Sequence, residues 1–333
     1  LAEEIRSYIN GVFFFPKREI LTYDYVAESK ELPYERIEVL KNIKNGKIKV
    51  LVCSIEALLQ PIISEDILFK NKISVKVGET YDLEELKRKI SMLGYTKTEM
   101  IDGKGEFSSR GGILDLSFDD KYGIRIELWG DEVDSIRKFD IQTQRSIEMI
   151  QEVEINPLHE YLLENSLEEV CNKILNNITE YTENQKNNVK EDIELIKTGE
   201  YISKVDKYFK FFYSKKATLL DYITEKYILF LEEPKKILAR GKNILKDIEG
   251  IENALVERER IIPNALENYI SIEEFSNNIN ELKKIYLISD DLGDSSEAEK
   301  YYFRFRTLNY NRSDFNKFID DILKAKAEGK KLY

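Results

Sequence analysis

The chain has 333 residues, of which 42% are hydrophobic and 34% charged. This balance excludes disorder and predicts a globular protein of two or three domains. The formal charge of -11, from 51 Lys and Arg against 62 Asp and Glu, excludes a chain-wide positive field of the kind that holds a nucleic-acid backbone. A single His and two Cys argue against His-based triads, zinc ribbons and metal or thiol chemistry.

The cysteines and the chain ends suggest where the protein works and how much of it is present. Cys53 and Cys171 lie far apart, and the sequence has neither a secretory leader nor an apolar run of about 20 residues. We therefore expect a cytoplasmic protein with structural thiols and no membrane partner. The chain begins at Leu1 rather than Met and ends just past a predicted helix stop at Gly329, so we interpret it as a piece of a longer polypeptide.

The first 75 residues predict an α/β domain. Apolar runs at 12–15 and 50–53 predict two buried strands, and Ile37, Leu40 and Ile43 recur at three-residue steps between them. This spacing is typical of a crossover helix in a βαβ unit, which implies a parallel sheet.

Residues 76–156 predict a separate α+β domain. Asp82 can cap a helix that ends at Gly94. The hydrophobic period then changes to two, which predicts antiparallel strands at 113–118, 124–129 and 132–139, with a turn at Gly130 and Asp131.

The remainder returns to α/β character after a helical region. Residues 157–224 are rich in Asn, Lys, Glu and Tyr in helical segments. A buried strand is predicted at 227–231, a helix at 235–259 and another strand at 285–288. A final amphipathic helix is expected after Ser313.

A nucleotide-hydrolysing site is not predicted, because the phosphate-binding pattern G-x-x-x-x-G-K-[ST] is absent from the sequence. Glu232 and Glu233, at the end of an apolar strand, stand where a P-loop fold places its magnesium-binding and water-orienting acids. We interpret them as a degenerate remnant of such a site.

The strand from Arg125 carries the strongest candidate for a binding surface. Alternation sends Ile126 and Leu128 to one face and Arg125, Glu127 and Trp129 to the other, and Arg110 extends this face from a neighbouring strand. Trp and Arg are enriched among interface hot spots, and residues 104–145 hold more acids than bases, so another protein is the expected partner. The alternative is that Trp129 packs under a helix and Arg125 pairs with Glu127 or Asp131.

Other candidates receive structural interpretations. His159, next to Pro157, is expected at the surface or in a hinge, because neither a second His nor a nucleophile motif accompanies it. An aromatic series interspersed with Lys is compatible with base stacking on single strands, although helical core packing is the favoured interpretation. The series comprises Tyr201, Tyr208, Phe209, Phe211, Phe212 and Tyr213.

A family resemblance rests on three runs of sequence. They are GEFSSRGGILDL at 105–116, the segments RIE (125–127), GDEVDSIR (130–137) and FD (139–140) of the next run, and QTQRS at 142–146. These runs resemble the bacterial transcription-repair coupling factor (Mfd), in the N-terminal module that is itself similar to UvrB. The resemblance is good over residues 1–160 and thin from 160 to 300.

The resemblance implies a fold and a division of the chain. The fold is α/β: a split, degenerate RecA-like parallel-sheet domain with an inserted α+β domain that contains an antiparallel sheet, in a UvrB-like arrangement. The implied division is 1–75 for the first part of the RecA-like domain, 76–156 for the UvrA-binding domain, 157–300 for the return to the first domain, and 301–333 for a linker and the start of the next domain.

The resemblance also implies a function. The family is an ATP-driven DNA translocase that displaces RNA polymerase stalled at a lesion and recruits UvrA. This chain would be a non-catalytic module without a cofactor, with ATP and magnesium in the motor elsewhere and RNA polymerase and double-stranded DNA contacted by other domains. The family's UvrA-contacting surface corresponds to Arg110, Arg125 and Trp129, where the aromatic is usually Phe. The family further implies that this face is covered by another part of the full-length chain.

UvrB itself is the alternative, as a nucleotide-excision-repair helicase subunit that binds damaged DNA. It would carry a working P-loop and a long hairpin insertion after a Tyr-rich segment such as 22–25. Here the helix that contains Arg36 and Ile37 begins within about ten residues of Tyr25, which leaves no room for that hairpin.

Overall fold

The computed structural model describes residues 1–18, 31–164, 166–178, 181–198, 207–223, 226–264, 269–289, 299–303 and 315–329. The chain divides into two compact units, Leu1–Ser289 and Asp290–Tyr333. The predicted helix cap Ser313, the aromatic Tyr201 and the Tyr-rich segment 22–25 lie outside the described residues.

The N-terminal region contains the predicted βαβ unit. After a short helix, α1 (Ala2–Arg6), strand β1 (Val12–Phe15) pairs in parallel with β2 (Val50–Cys53), and α2 (Glu31–Lys44) connects them. The stripe predicted from Ile37, Leu40 and Ile43 is buried against the core. These predictions of element type and strand direction are confirmed.

Two short helices, one strand and one longer helix connect this unit to the large sheet. The segments are α3 (Ile55–Leu59), α4 (Glu65–Lys70), β3 (Ile73–Lys76) and α5 (Leu83–Met92). The Asp82 carboxylate accepts a hydrogen bond from the Glu85 backbone N–H at 2.9 Å, as the capping pattern predicts. Gly94, with φ +97°, follows the end of α5.

A six-stranded sheet forms the centre of residues 96–150, with strands in the order β4-β5-β6-β7-β8-β9. All neighbouring pairs are antiparallel except β4 with β5. The strands are β4 (Thr96–Lys97), β5 (Glu106–Arg110), β6 (Ile113–Ser117), β7 (Tyr122–Trp129), β8 (Glu132–Asp140) and β9 (Ser146–Ile150). Strand β10 (Glu152–Ile155) then returns to pair antiparallel with β3.

The inner face of this sheet packs into the main core, and its outer face bears most of the polar side chains. Leu114, Leu116, Ile126 and Ile136 are buried on the inner face with Leu86 and Ile90 of α5 in one hydrophobic cluster. On the outer face Phe139 is fully buried and packs in a small second cluster with Ile101 and Ile141. The predicted alternation along β7 is therefore confirmed.

The described residues between 167 and 222 are mainly helical, as predicted. They comprise α6 (Leu167–Asn176), α7 (Glu183–Thr198), α8 (Phe209–Phe212) and a 3-10 helix at Leu219–Tyr222. Tyr208, Phe209 and Phe212 are buried, and Phe211 and Tyr213 pack partly against the same core. This burial supports core packing over base stacking for the described aromatic residues.

The last part of the first unit is again α/β. Strand β11 (Ile228–Glu232) pairs in parallel with β12 (Lys283–Leu287), and α9 (Pro234–Glu257) and α10 (Ile272–Asn280) lie between them in sequence. The prediction that β11 is buried is wrong for one of its faces, because Ile228 and Phe230 are exposed. The second unit contains α11 (Phe315–Ala327), followed by Gly329 with φ +74°.

Candidate functional site

The outer face of the six-stranded sheet brings the predicted site residues together. Strand register places Asp115, Arg125, Arg137 and Met149 in one row across β6 to β9. The next row contains Arg110, Ile113, Glu127 and Ser135 on β5 to β8. Since neighbouring strands lie about 4.8 Å apart, side chains predicted from separate stretches of sequence form one continuous surface. We call this surface, completed by Trp129, the outer-face patch.

Trp129 is the most exposed large apolar side chain of this patch. It stands at the end of β7, beside the turn at Gly130, and 86% of its surface is accessible. The structure therefore excludes the alternative in which Trp129 packs under a helix. A rigid indole left in water on an otherwise folded sheet is available to a partner without any rearrangement of the core.

Arg125 is held in a fixed orientation. Its Nε and Nη2 donate to the two Asp115 carboxylate oxygens at 2.7 and 2.8 Å, and Nη2 also donates to Gln144 Oε1 at 3.2 Å. The guanidinium covers the Phe139 ring, 4.7 Å from its centroid. The hydrogen bonds to Asp115 raise the pKa of Arg125 above its ordinary value. The sequence-based alternative named Glu127 or Asp131 as the partner of Arg125, and the structure corrects this to Asp115.

Glu127 belongs to a second ion pair on the same surface. Arg137 lies directly opposite Arg125 across β7 and β8, an arrangement of like charges that is unfavourable without counterions. Glu127 accepts from Arg137 and, at 2.9 Å, from the Ser135 hydroxyl. The two arginines are thus neutralised by different carboxylates, and the charged part of the patch is a preformed network.

Arg110 differs from the other two arginines of the patch. It lies exposed at the end of β5, opposite Ile113 in the hairpin. Within the described part of the chain it forms no ion pair. Its guanidinium is therefore available to a carboxylate of a partner.

Sequence reasoning did not identify Asp115, Arg137, Ile113 and Met149 as members of this surface. Ile113 and Met149 are apolar, yet 37% and 62% exposed, on the face where alternation predicts polar residues. Strand β9 was not predicted, so the sequence did not indicate that Met149 lies opposite Arg137. The alternation of Ile113 and Asp115 was visible in the sequence, but only the β6 to β7 register shows that Asp115 meets Arg125.

Glu232 and Glu233 lie apart from this patch, at the end of β11. The Glu233 carboxylate accepts hydrogen bonds from the Ser289 hydroxyl and, at 2.8 Å, from the Ser289 backbone N–H, and these bonds lower the pKa of Glu233. The Glu233 N–H donates to the Leu287 carbonyl at 2.8 Å. Glu233 therefore ties the end of β11 to the end of β12, which supports a structural interpretation of this acid.

His159 is buried, with 2% of its surface accessible. The prediction of a surface or hinge position is wrong, because residues 157–162 pack into the core beside α5. In the part of the chain that the structure describes, no group of three or more His, Cys, Asp or Glu side chains could hold a metal ion. In that same part, the helices are too short or too polar to cross a bilayer.

The fold and the outer-face patch lie in a recognisable protein domain. Residues 73–161 match the sequence model of the family described as "UvrB interaction domain". This segment comprises β3, α5, the six-stranded sheet and β10, so every residue of the outer-face patch lies within it.

Proteins called transcription-repair-coupling factor are similar to a larger part of the chain. The protein from Bacillus subtilis strain 168 is 27% identical over 263 residues, and one from Staphylococcus epidermidis is 28% identical over 265, each match covering 76% of this chain. One from Staphylococcus aureus is 29% identical over 266 residues, or 77% of this chain. These matches confirm the resemblance inferred from the sequence. The matched part spans only 22 to 23% of the length of these relatives.

Proposed function

We propose that this chain is part of a transcription-repair coupling factor and that its outer-face patch recruits UvrA. The observation that carries the proposal is Trp129, a fully formed aromatic anchor that is 86% exposed within a segment matching the UvrB interaction domain. Arg110 supplies an available cation on the same face of the sheet, and Ile113 and Met149 supply apolar contact area. An aromatic anchor with Arg and apolar neighbours is the usual composition of an interface centre.

Arg125 has a different role in this proposal from that of Arg110. Its guanidinium is neutralised by Asp115 and lies over Phe139, so it offers UvrA a flat, prearranged surface and its remaining N–H donors. Because the side chain is already ordered, binding would cost little additional conformational entropy.

The arrangement of the remaining elements supports a split RecA-like domain. A βαβ unit lies on each side of the antiparallel sheet in sequence, and the two regions pack directly. The Ile270 backbone N–H donates to the Leu59 carbonyl at 3.0 Å, and Arg240 forms an ion pair with Glu56. We propose that residues 1–75 and 157–300 form one degenerate RecA-like domain around the inserted domain at 76–156, with 301–333 leading to the next domain.

The activity of the longer protein is also part of the proposal. We infer that the parent is an ATP-driven DNA translocase of the cytoplasm that acts in transcription-coupled DNA repair, with ATP, magnesium, RNA polymerase and double-stranded DNA bound by other domains. The present chain lacks a phosphate-binding loop sequence and is assigned no hydrolytic step.

A binding measurement with purified UvrA tests the role of the outer-face patch. We expect Trp129→Ala to weaken UvrA binding by about 2 kcal/mol, or roughly 30-fold, because an exposed anchor is lost while the fold keeps all its buried contacts. Arg110→Ala is expected to act in the same direction with a smaller effect. Tyr8→Ala is the matched control, since Tyr8 is an exposed aromatic residue (72%) outside the sheet. UvrA binding that both Trp129→Ala and Arg110→Ala leave unchanged would refute the assignment.

A further inference from the structure

A second candidate binding site lies on the other side of the sheet from the outer-face patch. A groove of about 300 Å³ opens between α5, β4 and the helical region. One face of α5 lines it with Glu84, Lys87, Arg88, Ser91 and Met92. These positions are spaced three and four residues apart, the repeat that places side chains along one side of a helix.

The floor of the groove is apolar. Its accessible apolar surface comes from Leu163, Leu167 and Met92, which are partly buried. Phe107 of β5, Ile196 of α7 and Phe212 of α8 are buried beneath it. Phe107 belongs to the inner face of the sheet, whereas Arg125 belongs to the outer face, so the two surfaces are separated by the sheet itself. Apolar floors with a few polar groups at the rim are typical of ligand-binding clefts.

The rim of the groove is basic although the chain is acidic. Four cations line it, Lys87, Arg88, Lys97 and Lys197, against one lining carboxylate, Glu84. Lys87 pairs with Glu84, and Lys197 pairs with Glu194 at 2.8 Å. Arg88 and Lys97 are exposed and form no ion pair with any residue that the structure describes. This local excess of positive charge favours an anionic ligand.

The distribution of these cations indicates the shape of the ligand. They come from three different elements, α5, β4 and α7, and the lining face of α5 extends over about 12 Å at 1.5 Å per residue. A single phosphate would be expected to meet converging donors, whereas spread cations around an apolar floor fit an extended chain that carries several carboxylates and apolar side chains.

We propose that this groove binds an acidic peptide segment of a partner protein. Apolar side chains of the segment lie on the partly exposed Met92, Leu163 and Leu167, and its carboxylates pair with Arg88 and Lys97. This would give the domain a second protein-binding surface, independent of the outer-face patch.

Fluorescence anisotropy with the full chain and a short fluorescein-labelled peptide that alternates Glu with Leu and Phe tests the proposal. We expect saturable binding that Arg88→Glu and Lys97→Glu each weaken about tenfold, because each replaces an attraction at the rim by a repulsion. Lys89→Glu is the matched control, since Lys89 lies on α5 outside the groove. It should leave the affinity unchanged, as should Trp129→Ala.

A second variant tests the position of the peptide without changing charge. Ser91→Trp places an indole in the groove, and it should abolish peptide binding while circular dichroism shows the same helical content. The proposal is overturned if a peptide with Lys in place of Glu binds equally well, or if Arg88→Glu and Ser91→Trp have no effect. The proposal is also overturned if inorganic phosphate or a single-stranded oligonucleotide displaces the labelled peptide at a lower concentration than the unlabelled peptide does.

Discussion

His159, the only histidine of the chain, illustrates how strongly a single side chain depends on its tertiary surroundings. Its Nδ1 accepts a hydrogen bond from the Tyr161 backbone N–H at 3.0 Å, and burial lowers its pKa from 6.5 to about 4. The local sequence, with a proline two residues earlier and Glu160 following, is typical of a surface turn. Only the packing of this segment beside α5, which is remote in sequence, makes the site apolar.

This burial predicts a pH dependence of stability. The unfolded chain binds a proton on His159 below about pH 6.5, whereas the native state resists protonation down to about pH 4. Stability therefore falls as pH is lowered through this window, by roughly 1 kcal/mol between about pH 7.5 and pH 5.5. Urea unfolding at the two pH values measures the difference. In the His159→Gln variant this pH-dependent loss of stability should disappear. If the parent protein and the variant lose the same stability between the two pH values, the loss does not come from His159.

The sequence predicted those residues of the outer-face patch whose position follows from alternation along a single strand. Trp129, Glu127 and Arg125 were placed on one face of β7 from a period of two alone. The partner of Arg125 could not be predicted, because Asp115 lies ten residues earlier in the chain and meets it only through the register of β6 and β7.

At the scale of elements, the helices and strands with clear periodicity and end signals were predicted well. Helix α5 has a capping Asp82, an apolar stripe and a terminal Gly94, and each behaves as expected. Strand β9 was not predicted, and β5 was predicted only as a neighbouring strand that carries Arg110, without its bounds. Their sequences, SIEMI and EFSSR, bury few side chains and depend on pairing. The burial of β11 was overestimated because an apolar sequence cannot show which of its faces is covered.

The end of α5 packs closely against His159. A Cβ added to Gly94 would lie 2.4 Å from His159 Cδ2, and φ is +97°. Gly94→Ala therefore combines backbone strain with a collision, and we expect it to destabilise the protein by about 2 kcal/mol or more. Gly78→Ala isolates the backbone component, since Gly78 has φ +83° and its Cβ would meet nothing within 4 Å.

Urea unfolding of the two glycine variants decides whether the contact matters. The Gly78→Ala protein should lose about 1 kcal/mol. If both variants lose the same stability, Gly94 is required only for its backbone conformation and the close approach of His159 has no energetic role.

At the scale of the whole molecule, a buried ion pair joins distant parts of the chain. Arg36 of α2 and Glu160 are 1% and 3% exposed, with Nη2 and Oε1 at 3.0 Å. Arg36 also covers the ring of Phe15 in β1, 4.2 Å from its centroid. The contact fixes the N-terminal βαβ unit against the segment that follows β10. No local pattern predicts a pair separated by 124 residues.

Removal of one charge from this pair should be costly. Glu160→Gln leaves the Arg36 guanidinium buried without a counterion and also removes the ion pair between Glu160 and Arg18 at 3.6 Å. We expect a loss of roughly 3 kcal/mol in the free energy of unfolding. Glu154→Gln is the control, because the Lys72–Glu154 pair is about half exposed on each side and should contribute about 0.5 kcal/mol or less. Equal effects in chemical denaturation would show that burial of the Arg36–Glu160 pair is unimportant.

Site-specific photo-cross-linking tests whether UvrA contacts the outer-face patch through Trp129. Benzoylphenylalanine placed at position 129 keeps an aromatic side chain at the exposed end of β7, and the same probe at position 89 of α5 serves as the control on another surface. The proposal predicts a covalent adduct with UvrA from position 129 and none from position 89. An adduct from position 89 with none from position 129 would contradict it.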